Sequence, residues 1–244
     1  MKDYLQDLIQ HTYGIGVIDL VKVAGTDKET QITALAEDKS VVVMGTFKTP
    51  IADFIGTFGM PNLSKLKTIL GFDDVYDDKA VISVSRGNKE DPNAPAYIHF
   101  QTANNDFVNE YRLMHKTVVE EKVKTPTFRE PTWNVEFEPT VAGITRLKKQ
   151  ATANSEEQHF TTSTVKGDLK INFGDPTTHN GNFVFHSGVT GTLNKQWSWP
   201  VKVILDILDL PGDKTIKISD QGAAAIVVDS GLATYRYLLP AHSK

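Results

Sequence analysis

Apolar residues recur along this chain with two spacings, about 3.6 and about 2, and the switches between them outline its elements. From Lys2 to His11 the spacing is helical, with Leu5, Leu8 and Ile9 on one side, and Gly14 and Gly16 end the run. Alternation then predicts strands through residues 17–47, among them 32–35 and 41–44, parted by the turn Glu37-Asp38-Lys39-Ser40. Pro61 opens a second helix that turns Leu63, Leu66, Ile69 and Leu70 inward and Lys65, Lys67 and Thr68 outward until Gly71. Strands are expected around 81–84, 97–101 and 107–117.

Residues 118–131 break this rhythm. Two prolines, mixed charge and no period predict an extended connecting segment there, so the chain divides into 1–117, 118–131 and 132–244. A strand at 133–138 follows. Pro139 then starts a helix with Val141, Ile144, Leu147 and Ala151 on its buried side and Arg146, Lys148 and Lys149 on the other. Strands at 159–164, 168–173, 182–186 and 195–199 lead to a helix that begins at Pro200, and two long strands reach Leu239.

One plan is written twice, within 61–115 and within 200–239. Each copy opens with Pro and a short apolar helix, and continues with a strand that starts Asp-Lys (Asp78-Lys79; Asp213-Lys214) and ends in Gly (Gly87; Gly222). Another strand follows, and each copy closes on Tyr-Arg and an apolar pair, Tyr111-Arg112-Leu113-Met114 and Tyr235-Arg236-Tyr237-Leu238. Two similar modules, each with two amphipathic helices on antiparallel sheets, define an α+β class.

The 244 residues suit two such domains of ordinary size. Cysteine is absent, which excludes disulfides, thiolate metal sites and a Cys nucleophile. No apolar run nears the roughly 20 residues of a membrane helix, and the first residues lack the basic-then-apolar layout of a secretion signal, so none is expected. A soluble intracellular protein without membrane partners is expected. The net charge of −4 hides a segregation: 140–154 carries Arg146, Lys148 and Lys149 with no acid, and 62–70 carries Lys65 and Lys67 with none. Charge sorted in this way can draw a polyanion to one face.

Catalytic signatures are missing. Gly14-Ile15-Gly16 lacks a third Gly and follows a helix, so it is a turn and no cofactor is expected. Ser187 and Ser230 lack the flanking glycines of a nucleophile elbow. The seven His are scattered without ligand spacing, so no metal site is expected. Asp73, Asp74, Asp77 and Asp78 could serve a metal-dependent nuclease; the plainer alternative is a solvated loop that resists edge pairing.

Three stretches resemble the DNA sliding clamps of the proliferating cell nuclear antigen family. They are the closing segment from Ala224-Ala225-Ile226-Val227-Val228 to Tyr237-Leu238-Leu239-Pro240, the strand Phe107-Val108-Asn109-Glu110-Tyr111-Arg112-Leu113-Met114, and Gly181-Asn182-Phe183-Val184-Phe185. The order of helices, linker and strands agrees across nearly the whole chain, and size and low similarity look closest to T-even-like tailed-phage clamps.

The resemblance implies a DNA-clamp fold and a non-enzymatic homotrimeric ring around double-stranded DNA, with helices lining the hole. It also implies service to a replicative DNA polymerase and an ATP-driven clamp loader, in the cytoplasm of a phage-infected bacterial cell. Lys65, Lys67, Arg146, Lys148, Lys149 and Lys202 would face DNA. Ala36, Val41, Val43, Phe128, Leu238, Leu239 and Pro240 would border a groove for client peptides. Tyr111, Leu113, Phe183 and Phe185 would lie where edge strands of neighbouring subunits pair. The rival expectation is a β-rich phage tail or baseplate protein, because sticky strand edges also build open assemblies.

Overall fold

Leu5, Leu8 and Ile9 are buried along one side of α1 (Lys2–His11), as their spacing predicts. The structure is a computed structural model that describes residues 1–77, 79–87, 93–124 and 129–242. The chain falls into two units: Met1–Glu37, Val43–Thr127 and Ser230–Tyr235 make the first, and Asp38–Val42, Phe128–Asp229 and Arg236–Lys244 the second.

In the first unit, β1 (Leu20–Gly25), β2 (Thr30–Leu35), β3 (Val42–Phe47, from Val43 onward) and β4 (Gly56–Pro61) lie side by side in the order β4-β1-β2-β3. β1 is antiparallel to both neighbours, with Val21 opposite Ala34 on one side and Met60 on the other. Val21 and Val23 point to the core, two residues apart as the pleat requires. α2 (Leu63–Leu70) buries Leu63, Leu66, Ile69 and Leu70. Its first turn is capped from a distance: the Asp19 carboxylate accepts the Leu63 N–H at 2.9 Å. That anion satisfies an orphan donor and meets the positive end of the helix.

β5 (Val81–Arg86), β6 (Pro95–Gln101) and β7 (Val108–Arg112) form a separate antiparallel sheet with β7 at one edge. The expected strand 107–117 therefore ends early. Met114 instead exchanges backbone hydrogen bonds with Gly59 of β4, and α3 (Lys116–Lys122) begins two residues later. The extended reading of 118–131 is corrected over its first part. Val119 and Val123, four apart, are both buried, and that spacing favours a helical turn seated on the core.

The second unit contains β8 (Val135–Phe137), α4 (Val141–Ala153), β9 (His159–Val165), β10 (Asp168–Gly174), β11 (Asn180–His186) and β12 (Ser198–Pro200). It continues with α5 (Val201–Leu208), β13 (Asp213–Ser219), β14 (Ala223–Asp229) and residues 236–240 of β15 (Ala233–Pro240). One sheet runs β11-β10-β9-β12, and another runs β15-β14-β13-β8. β12 is shorter than the expected 195–199. The Asp220 carboxylate accepts the backbone N–H groups of Asn194 and Lys195 at 3.0 and 3.2 Å, and the Trp197 indole donates to the Asp220 carbonyl, so this stretch is tied to a turn.

α4 starts at Thr140, whose Oγ1 accepts the Gly143 N–H at 3.0 Å. A Cβ on Gly143 would come within 2.5 Å of the Phe185 carbonyl, so only glycine allows the helix this close to β11. Leu147 is fully buried, while Ile144 and Ala151 are half-buried. Val141 was expected inside and is 82% exposed. At about 100° per residue it falls well off the stripe centred on Leu147.

Candidate nucleic-acid interface

The helices α2 and α4 place their cations by the same local rule. In α2, Lys65 and Lys67 stand on either side of the apolar stripe, with Ser64 and Thr68 between them on the solvent side; all four are exposed. In α4, Arg146 and Lys148 flank the stripe in the same i, i+2 relation, and Lys149 lies between them on the outer face. Residues two apart on a helix are about 200° apart, so such a pair spreads charge across a broad face. α1 has no cation on its exposed side beyond Lys2, whose Nζ pairs with Asp73 at 2.7 Å.

The predicted cations differ in their surroundings. Lys67 Nζ sits 5.6 Å from the centroid of the Tyr13 ring. For Lys65, Lys67, Arg146 and Lys149 no carboxylate partner occurs among the described residues. Lys148 and Lys202 are engaged: Lys148 Nζ lies 2.5 Å from Asp209 Oδ1, and Lys202 Nζ lies 2.6 Å from Asp206 Oδ2 one turn along α5. The partner of Lys148 comes from the end of another helix and leaves no trace in the spacing, whereas Lys202 and Asp206 stand four apart on one helix and their pairing could have been read there. Both pairs line a groove of about 940 Å3 between α4 and α5 that also holds Asp38, Glu157, His159 and His242. Ser40 hydrogen bonding holds the Asp38 carboxyl below its ordinary range, and burial, with His242 alongside, lowers His159.

The edge strands expected from the sequence are edges of their sheets: β7 ends the three-stranded sheet and β11 the four-stranded one. The side chains named for subunit contact lie deeper than expected. Tyr111, Leu113 and Phe185 are buried within the chain, and Phe183 is half-buried. The Tyr111 hydroxyl donates to the Pro61 carbonyl, and burial, with Asp19 nearby, pushes its phenol upward. The large apolar side chains that β7 and its approach offer to solvent are Phe107 and Val108, 42% and 45% exposed. Alternation along the strand could have singled out Val108, which shares a face with the exposed Glu110 and Arg112 and not with Tyr111.

For the proposed client groove, Ala36, Val41, Val43, Leu238 and Leu239 are buried and Pro240 is exposed; Phe128 lies outside the described residues. Near the second unit's start, Glu130 accepts from Arg236 at 2.6 and 2.8 Å and from the Trp133 indole at 2.6 Å. The Arg236 hydrogen bonds hold the Glu130 carboxyl below its usual range. Asp74 and Asp77 border a shallow surface hollow with Asp106, and Asp78 lies outside the described residues. Among the described residues no group of three or more His, Asp or Glu could hold a metal ion, and no helix is long and apolar enough to cross a membrane.

The fold has a close counterpart. A solved structure described as the C-terminal region of FEN-1 bound to A. fulgidus PCNA matches it with a TM-score of 0.71, over 100% of this chain and 96% of that one, at 12% sequence identity. No protein-family model and no curated protein matches the sequence. Likeness at this identity establishes the fold: the chain has the DNA-clamp fold, mixed helix and antiparallel sheet.

Proposed function

We propose that this chain is a sliding clamp, a non-enzymatic protein whose three copies close into a ring around duplex DNA and tether a replicative polymerase. The observation that carries this reading is the correspondence with a PCNA over essentially the full length of both chains. The exposed cations of α2 and α4 support it. Lys65, Lys67, Arg146 and Lys149 offer charge without shape for reading bases, and contacts to phosphate alone position a protein without fixing its sequence register. Such a ring can slide.

Strands β7 and β11 would supply the subunit joints, since a heterologous contact between unlike edges closes into a ring or runs on as a filament. Loading falls to an ATP-driven partner, and clients dock through short peptides, as the neighbour's bound FEN-1 segment suggests for its own clamp. The phage-infected bacterial cytoplasm is proposed from the sequence resemblance. Mass measurement in solution tests the whole reading: three chains are expected. A stable monomer counts against it, and an extended polymer favours a tail or baseplate protein.

A further inference from the structure

We propose that Asp206 and Asp209 compete with DNA phosphates for Lys148 and Lys202, and thereby set how weakly the α4–α5 groove attracts the duplex. This inference rests on the clamp reading and specifies its regulation. The cations on these helices sort into two sets. Arg146 and Lys149 face solvent with no carboxylate partner among the described residues, whereas Lys148 and Lys202 pair with Asp209, which caps the end of α5, and Asp206, within α5, at 2.5 and 2.6 Å. The groove that holds both pairs is lined by two lysines against four carboxylates, Asp38, Glu157, Asp206 and Asp209. It is acidic despite its lysines.

The pairs are solvated, with Lys202 78% and Asp209 52% exposed, so each opens readily. Opening does not make the lysine equivalent to a free one. A phosphate that takes the ammonium is left beside the abandoned carboxylate, and like-charge repulsion opposes the exchange. Lys214 relieves Asp209 only in part: its charge acts on that carboxylate, but its Nζ donates to the carbonyls of Leu210 and Gly212 at 2.5 and 2.9 Å and makes no direct pair with it. The groove therefore releases few counterions on meeting DNA, and the field of the unpaired cations dominates. Weak attraction on one flank suits a ring that must move along the duplex.

The test uses the full-length chain and a short linear duplex, with affinity followed by fluorescence anisotropy across a salt titration. Asp206→Asn with Asp209→Asn is expected to steepen the slope of log affinity against log salt by about 0.9 for each lysine released. Each single substitution carries half the shift, so the outcome stands even if the double variant folds poorly. Adding Lys148→Gln and Lys202→Gln reverses the gain. Asp27→Asn with Glu120→Gln makes the same change in net charge at exposed positions and leaves the slope alone. A slope unchanged by the Asp206 and Asp209 substitutions, or matched by the Asp27 and Glu120 control, overturns the inference. The clamp reading is judged separately by Lys65, Lys67, Arg146 and Lys149 all changed to Ala: if that variant binds duplex like the parent, the reading fails and this inference falls with it.

Discussion

The Tyr235 hydroxyl donates to Asp7 Oδ2 at 2.6 Å, joining residues 228 positions apart within the first unit. Asp7 is a buried carboxylate, and its other contacts explain how it is kept there: Ser230 Oγ donates to the same oxygen at 3.1 Å, and His11 Nδ1 lies 3.4 Å from Oδ1. The His11 ring stacks on Tyr235 with centroids 4.5 Å apart. A buried acid is costly unless hydrogen-bonded, so removing one donor exposes that cost. Tyr235→Phe is expected to lower stability by about 1–3 kcal/mol in chemical denaturation. An unchanged midpoint would show that Ser230 and His11 suffice.

Gly59 is a second point where one atom decides local structure. A Cβ there would lie 2.8 Å from Val119 Cγ2 and 3.0 Å from Met114 Cβ. Val119 is β-branched and fully buried, so it has little room to turn away. Gly59→Ala is expected to cost about 1–3 kcal/mol by overpacking and to unseat α3 first. Hydrogen exchange at the Val119 and Val123 amides, which bond to His115 and Val119 carbonyls, reports that loss. Protection equal to the parent's would mean α3 is held by other contacts.

Much of this arrangement was legible in the sequence wherever burial is one-sided. α1 and α2 appear with their apolar residues inside because a single stripe dictates both the element and its orientation. α3 was not legible, since its stripe is only Val119 and Val123 amid charges and ahead of prolines. Val141 was misplaced because its apolar side chain says nothing of where the stripe's centre lies; Gly143 and Leu147 define it. The faces of Lys65, Lys67, Arg146 and Lys149 followed from helical spacing. The pairing of Lys148 with Asp209 did not, because tertiary contact between helices leaves no periodic trace.

Glu130 gives a pH-dependent prediction. Its carboxyl is held below the ordinary glutamate value by Arg236, with a further contribution from Trp133. A depressed acid contributes stability above its unfolded value, and that contribution is lost as pH falls through the lower folded value. On acidification the Trp133 indole proton resonance in NMR should therefore shift with a midpoint below that of a free glutamate. Arg236→Gln should move the midpoint back up. A midpoint indifferent to Arg236 would assign the shift to another group.

Tyr111 and Val108 lie on the same edge strand and should part company when altered. Tyr111 is buried and its hydroxyl serves the Pro61 carbonyl inside the first unit, so Tyr111→Phe removes an internal bond. A loss of about 0.5–1.5 kcal/mol is expected, more if the carbonyl stays dry, with the solution mass unchanged. Val108 is 45% exposed, and its side chain has no such task in the chain. In the proposed ring it lies where a neighbour's strand would add to the sheet, and a lysine on an edge is an established obstacle to such pairing. Val108→Lys should therefore leave the melting of the single chain nearly intact while sedimentation shows three chains falling to one. If Val108→Lys sediments as the parent does, β7 is not the joint, whatever the fold suggests.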